Sequence, residues 1–147
     1  MQLTRAADYA VRVMVHLAGL PAGVRATRDE MAVSGDVPEA FLSKILQSLT
    51  RAGLIASHRG VSGGYLLGRP AASITVLDIV EAMEGPLQLN ACVGSKPTCG
   101  RAGICSVHDI WLRAQEALTS VLQSENIADL AGKAAQRRSA GGGVEWS

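Results

Sequence analysis

Between Thr27 and Leu67 the chain is punctuated in a way that few folds can accept. Thr27-Arg28-Asp29-Glu30 is a capping box, in which the threonine hydroxyl can accept a backbone N–H while Glu30 reaches back to the cap. A short helix through Val33 follows, and Ser34-Gly35 breaks it as a turn. Asp36-Val37-Pro38-Glu39 then opens a second helix, since proline is tolerated in a first turn and carboxylates are favoured there by the helix dipole. Leu42, Ile45, Leu46 and Leu49 give this helix one apolar face, and Gly53 marks its end. Leu54-Ile55-Ala56-Ser57-His58-Arg59 reads as a strand, 60–64 as a Gly-rich loop, and Tyr65-Leu66-Leu67 as the returning strand. Two helices joined by a tight turn, with a basic, Gly-tipped hairpin directly after them, predict a winged helix-turn-helix.

The remaining segments arrange themselves around that unit. Residues 4–20 form a helix with Ala10, Val13, Met14 and Leu17 as its apolar stripe, ended by Pro21 and Gly23. Thr75-Val76-Leu77-Asp78 is another capping box, and its helix buries Val76, Ile79, Val80 and Met83 before Gly85-Pro86. Residues 90–105 carry Gly94, Pro97, Gly100 and Gly103 without periodicity, as irregular backbone shaped around something. A last long helix starts near Ser106 and reaches about Gln123. Val107, Ile110, Trp111, Ala114, Leu118, Val121 and Leu122 form a continuous stripe that predicts packing against a second copy of the chain. The expected division is a DNA-binding domain over 1–85, a cysteine-rich loop over 86–105, a dimerisation helix with a short terminal helix over 106–131, and a disordered, Gly/Ala/Arg-rich tail over 132–147. One Phe, two Trp and two Tyr leave the core to aliphatic side chains, which suits a mainly α fold. No apolar run is long enough to span a bilayer and the N-terminus has no secretory pattern, so a cytoplasmic location without membrane contact is expected.

The net charge of +1 conceals an uneven distribution. Residues 1–70 carry eight Lys/Arg against five Asp/Glu, whereas 71–131 carry three against seven. A basic front and an acidic back fit a nucleic-acid face with a separate partner face. On the recognition helix the candidate contacts with double-stranded DNA are Pro38, Glu39, Ala40, Ser43, Lys44, Gln47 and Arg51, with Thr27 at the start of the preceding helix. On the wing they are His58, Arg59, Gly60, Ser62, Gly63, Gly64 and Tyr65. Arg59 suits a narrow minor groove, and Gly63 and Gly64 allow backbone N–H groups close to phosphates. A winged helix serving protein contact alone is the plainer alternative.

The three cysteines of the chain fall within fourteen residues, as Cys92-x6-Cys99-x5-Cys105-x2-His108. Clustered thiols in a reducing compartment point to metal or redox chemistry rather than to a disulfide framework. Thiolates are soft ligands for zinc, copper or iron–sulfur clusters. Two side chains compete as fourth ligand. His108 lies on the helical turn that begins at Cys105, and Asp8 on the first helix is a carboxylate that a second subunit can supply. Cys3His also suits a structural zinc site. A thiol-based redox enzyme ranks last, because no CxxC is present, and an enzyme is not expected.

The chain resembles the iron–sulfur winged-helix regulators that include IscR, NsrR and RirA, the Rrf-type regulators. The likeness spans about residues 1–131 and rests on LTRAADYAVR, FLSKILQSLTRAGLI, SHRGVSGGYLLGRP, ITVLDIVEAMEG, the cysteine triad and NIADLA. The resemblance implies a homodimer on a palindromic promoter site, with a cluster that modulates DNA affinity. IscR-like members imply a 2Fe–2S cluster on Cys92, Cys99, Cys105 and His108, which is the favoured assignment. NsrR-like members imply a 4Fe–4S cluster with Asp8 of the other subunit as fourth ligand. The first spacing, x6 where IscR-like members usually have x5, departs from the pattern. So does Ser43, which stands where IscR has a base-discriminating glutamate; the operator is expected to differ accordingly.

Overall fold

Every helix that the sequence marks with a hydroxyl cap starts at that cap. Thr4 accepts the Ala7 N–H at 3.2 Å and opens α1, Arg5–Ala18. Thr27 accepts from Glu30 N–H at 3.2 Å while the Glu30 carboxylate accepts from Thr27 N–H at 3.0 Å, opening α2, Arg28–Ser34. Thr75 and Asp78 repeat that reciprocal pair at the start of α4, Val76–Glu84. Between them lie α3, Glu39–Arg51, the strands β1, Ile55–His58, and β2, Gly64–Leu67, and one 3-10 turn, Ala71–Ser73. Helices α5, His108–Ser124, and α6, Ile127–Ser139, complete the order. This is a computed structural model, and it describes residues 2–90, 92–93, 100–101 and 103–141.

Helices α1, α2 and α3 enclose an aliphatic core in which Ala10, Val13, Met14, Met31, Leu42, Ile45, Leu46 and Leu49 are all buried. The two strands pair antiparallel, Ile55 opposite Leu67 and His58 opposite Gly64, so that Ile55 adds to the core while the far end of the hairpin projects. Fold class is as the punctuation predicts: mainly α, a winged helix-turn-helix with a two-stranded wing. A third backbone segment lies beside the wing, because Ala26 and Tyr65 exchange N–H···O bonds of 3.0 and 2.8 Å. Gly64 makes this approach possible. Its φ is +150°, and a Cβ there would stand 2.7 Å from the Ala26 carbonyl oxygen.

The back half folds onto the front at two places. The Thr4 N–H donates to the Glu84 carboxylate at 2.7 Å, joining the start of α1 to the end of α4. At the other end of α4, Val76 N–H donates to Glu125 O and Ile127 N–H to Ile74 O, both at 3.0 Å. The chain therefore leaves along α4, passes the cysteine loop, and returns along α5 to the place it left. At about 1.5 Å per residue the seventeen residues of α5 outreach the nine of α4 by roughly 12 Å.

Two expectations are corrected. A disordered tail from 132 does not hold for 132–139, because α6 runs through Ser139. Asn126 accepts the Asp129 N–H at 2.9 Å, Ala, Gln, Lys and Arg are strong helix formers, and buried Ala131 faces α1. Residues 142–147 lie outside the described ones. The apolar stripe of α5 is not a single partner-facing surface either. Leu118 and Leu122 pack on Leu77, Val80 and Leu87 of the same chain, whereas Ile110, Trp111, Leu112 and Val121 are exposed. The helix begins at His108, two residues past Ser106.

Candidate nucleic-acid interface and metal centre

Amphipathic spacing divides α3 into two faces. Leu42, Ile45, Leu46 and Leu49 are buried, so Glu39, Ala40, Ser43, Lys44, Gln47 and Arg51 are exposed on the opposite side, with Pro38 exposed just before the first turn. His58, Arg59, Gly60 and Ser62 are exposed along the wing, and Gly63, Gly64 and Tyr65 are partly covered. An open cleft of about 610 Å³ runs between helix and wing, lined by Arg28, Ser43, Gln47, Thr50, Arg51 and Tyr65 among others. A recognition helix in a major groove beside a wing at the adjacent minor groove needs such a cleft for the intervening backbone strand.

Several of the predicted contacts are engaged within the protein, Thr27 and Gly63 in the local backbone and Glu39 and Ser43 with Arg28. The Thr27 hydroxyl caps α2. The Gly63 N–H donates to Gly60 O at 2.9 Å, and a Cβ on Gly63 would meet the His58 carbonyl oxygen, so this glycine shapes the wing turn rather than offering its N–H to a phosphate. Two arginines at the same surface escaped the sequence reading. Arg25 donates to the Ser62 carbonyl at 3.0 Å and ties the wing tip to the body. Arg28 donates to Glu39 Oε1 from Nε at 3.2 Å and from Nη2 at 2.6 Å, and Nη2 also donates to Ser43 Oγ at 2.8 Å. The Glu39 bond raises the pKa of the Arg28 guanidinium above its ordinary value. The signal was a cation in a helix first turn, which the dipole opposes unless a carboxylate stands by.

The cysteine loop departs from the end of the domain where α1 begins and α4 ends. Gln115, buried on α5, holds its near side: its side-chain oxygen accepts the Leu89 N–H and its amide donates to Leu87 O, each at 2.7 Å. Cys92 and Cys105 are partly buried free thiols. Cys99 lies outside the described residues, and among those described no group of three or more His, Cys, Asp or Glu side chains converges. The Cys105 carbonyl accepts the His108 N–H at 3.3 Å, which fixes His108 one turn beyond that cysteine. His108 Nδ1 is buried with no hydrogen-bond partner among the described residues. Asp8 is exposed in the first turn of α1 and paired with Arg12 at 2.8 Å.

Comparison with known proteins agrees with this architecture. Residues 3–133 match the Rrf2 family, described as "Iron-dependent Transcriptional regulator". The putative HTH-type transcriptional regulator Rv1287 of Mycobacterium tuberculosis is 34% identical over 134 residues, 91% of this chain and 83% of that protein. Protein aau3 of Rhizobium meliloti is 38% identical over 132 residues, 88% and 84% respectively. Among solved structures, CymR, the global cysteine regulator of B. subtilis, superposes with a TM-score of 0.73 at 28% identity, covering 90% of this chain and 98% of its own. IscR of T. potens gives a TM-score of 0.73 at 25% identity, covering 91% and 88%. A sequence match over nearly the whole chain, with the wing and the helix pair where the match requires them, shows that the chain belongs to the Rrf2 family of transcriptional regulators.

Proposed function

We propose that this protein is a homodimeric regulator that binds a palindromic promoter site through α3 and the wing, with its affinity set by an iron–sulfur cluster on Cys92, Cys99, Cys105 and His108. The observation that carries the sensor half is the buried His108 Nδ1, one turn past Cys105 and without a hydrogen-bond partner among the described residues. A buried ring nitrogen without a partner costs about 1–3 kcal/mol, a penalty that a bond to metal removes. Two half-buried thiols in the same loop match the soft donor set of a cluster. The Asp8 carboxylate is already held by Arg12, which favours the histidine and, with it, a 2Fe–2S centre over a 4Fe–4S one. The cluster would supply a redox- and nitric-oxide-sensitive crosslink between the loop and α5.

The chain's own residues would carry the response to the DNA. Gln115 couples the start of the loop to α5, and α5 returns to the base of the wing domain through Glu125 and Ile127. If the exposed α5 side chains Ile110, Trp111 and Val121 meet a second copy, loop and dimer seam move together, and the distance between the two recognition helices follows. Anaerobic purification is expected to give a coloured protein with iron and sulfide. His108→Ala should alter its absorption and paramagnetic resonance spectra, while Asp8→Ala should not. Promoter-fragment affinity with and without cluster should differ by a coupling of about 1–3 kcal/mol. One zinc per chain without sulfide would replace the sensor by a structural site, and equal affinities would remove the sensor role.

A further inference from the structure

Arg28 stands outside the recognition helix, yet it determines what two of that helix's side chains can do. It comes from the first turn of α2 and reaches across the helix-turn-helix to α3. Both of its bonds to Glu39 end on the same oxygen, Oε1. Oε2 has no partner among the described residues and is left as an acceptor. Ser43 Oγ receives an N–H from Arg28, so its own hydroxyl proton is left to be donated. Glu39 and Ser43 are four residues apart on α3, both exposed, and therefore neighbours on one face. A free carboxylate would swing between rotamers and a free hydroxyl would turn either way. Arg28 fixes an acceptor at the first position and a donor one turn later.

We infer that Arg28 is a positioning residue for base recognition: it holds Glu39 to accept from a cytosine amino group and Ser43 to donate to a guanine or thymine acceptor. The inference rests on the proposed DNA-binding role of α3 and deepens it. Cytosine offers its N4 amine in the major groove, whereas adenine sets the N7 acceptor beside its amine, where it opposes a carboxylate. Guanine and thymine present only acceptors and, for thymine, a methyl group, so Glu39 disfavours both. Nε and Nη2 of Arg28 are already engaged, and Glu39 neutralises its charge locally, so Arg28 is poorly placed to serve as a phosphate contact.

The test is selection from a duplex library randomised over two symmetric half-sites, carried out with the full chain, followed by anisotropy titrations of the selected duplex at several salt concentrations. Wild type should enrich cytosine at one position per half-site. Glu39→Gln should move that preference to adenine, because an amide pairs with both the N6 and N7 of adenine. Arg28→Ala should lose the cytosine preference, on the order of tenfold at that position, and weaken the guanine or thymine preference at the position read by Ser43, with the remaining positions and the salt slope unchanged. Its thermal midpoint should stay near that of wild type, since the Arg28–Glu39 pair is exposed. A uniform loss of affinity with a salt slope lower by about one would make Arg28 a phosphate contact and overturn the inference. An unchanged selection profile in Arg28→Ala would overturn it too. No binding by wild type to any duplex would instead remove the DNA-binding reading itself.

Discussion

Asp36 takes the left-handed backbone conformation in the turn between α2 and α3, with φ +49°, while the neighbouring Gly35 does not. The glycine is needed for another reason: a Cβ there would stand 2.9 Å from Val37 Cγ2 and 3.2 Å from the Met31 carbonyl oxygen. Aspartate tolerates the left-handed region better than most residues, but not freely. Asp36→Gly should therefore be neutral or stabilising by up to about 1 kcal/mol, whereas Asp36→Ala should cost about 1 kcal/mol. Urea midpoints of the two variants beside wild type check the order. The consequence for recognition is geometric, because this residue sets the angle at which α3 leaves α2.

The elements differ in how openly the sequence announced them. Helices α1, α2 and α4 carry a threonine cap, and α3 has a proline before its first turn, so their starts were legible to within a residue or two. The apolar stripe of α3 separated core from exposed face correctly, because burial there depends on spacing alone. What spacing does not carry is partnership across the chain. Nothing in the period of α5 distinguishes Leu118 and Leu122, which pack on α4, from Ile110 and Trp111, which stay exposed. Gln115 was invisible for the same reason: a polar residue on a helix becomes a clamp only when two backbone groups from Leu87 and Leu89 arrive beside it. Gln115→Ala leaves both groups without their partner and should destabilise the protein by roughly 2 kcal/mol, read from chemical denaturation. Gln115→Glu should cost at least as much, since it cannot donate to Leu87 O. The exposed end of α5 gives a prediction of its own. A Trp111→Asp, Ile110→Asp double variant should weaken self-association by about 2 kcal/mol or more, some thirtyfold in dissociation constant, in sedimentation equilibrium. A wild type that is monomeric at micromolar concentration would contradict the dimer.

At the scale of the molecule, the basic front and the acidic back fall on different elements. The exposed faces of α3 and the wing carry Lys44, Arg51 and Arg59, and the chain leaves α4 after Glu84, at the end of that helix opposite the Thr75–Asn126 junction. That junction makes residues 76–125 an excursion pinned at both ends. It begins and finishes on paired backbone, Val76 with Glu125 and Ile74 with Ile127, and α6 then rests on α1. A strand of rope made fast at both cleats can be cut in the middle without dropping its load. Limited trypsin cleavage after Arg101 should therefore yield two fragments that still elute together on size exclusion and separate only in denaturant. The nicked protein should keep its wing and recognition helix in place, with the Gln115 clamp on Leu87 and Leu89 still joining the two fragments.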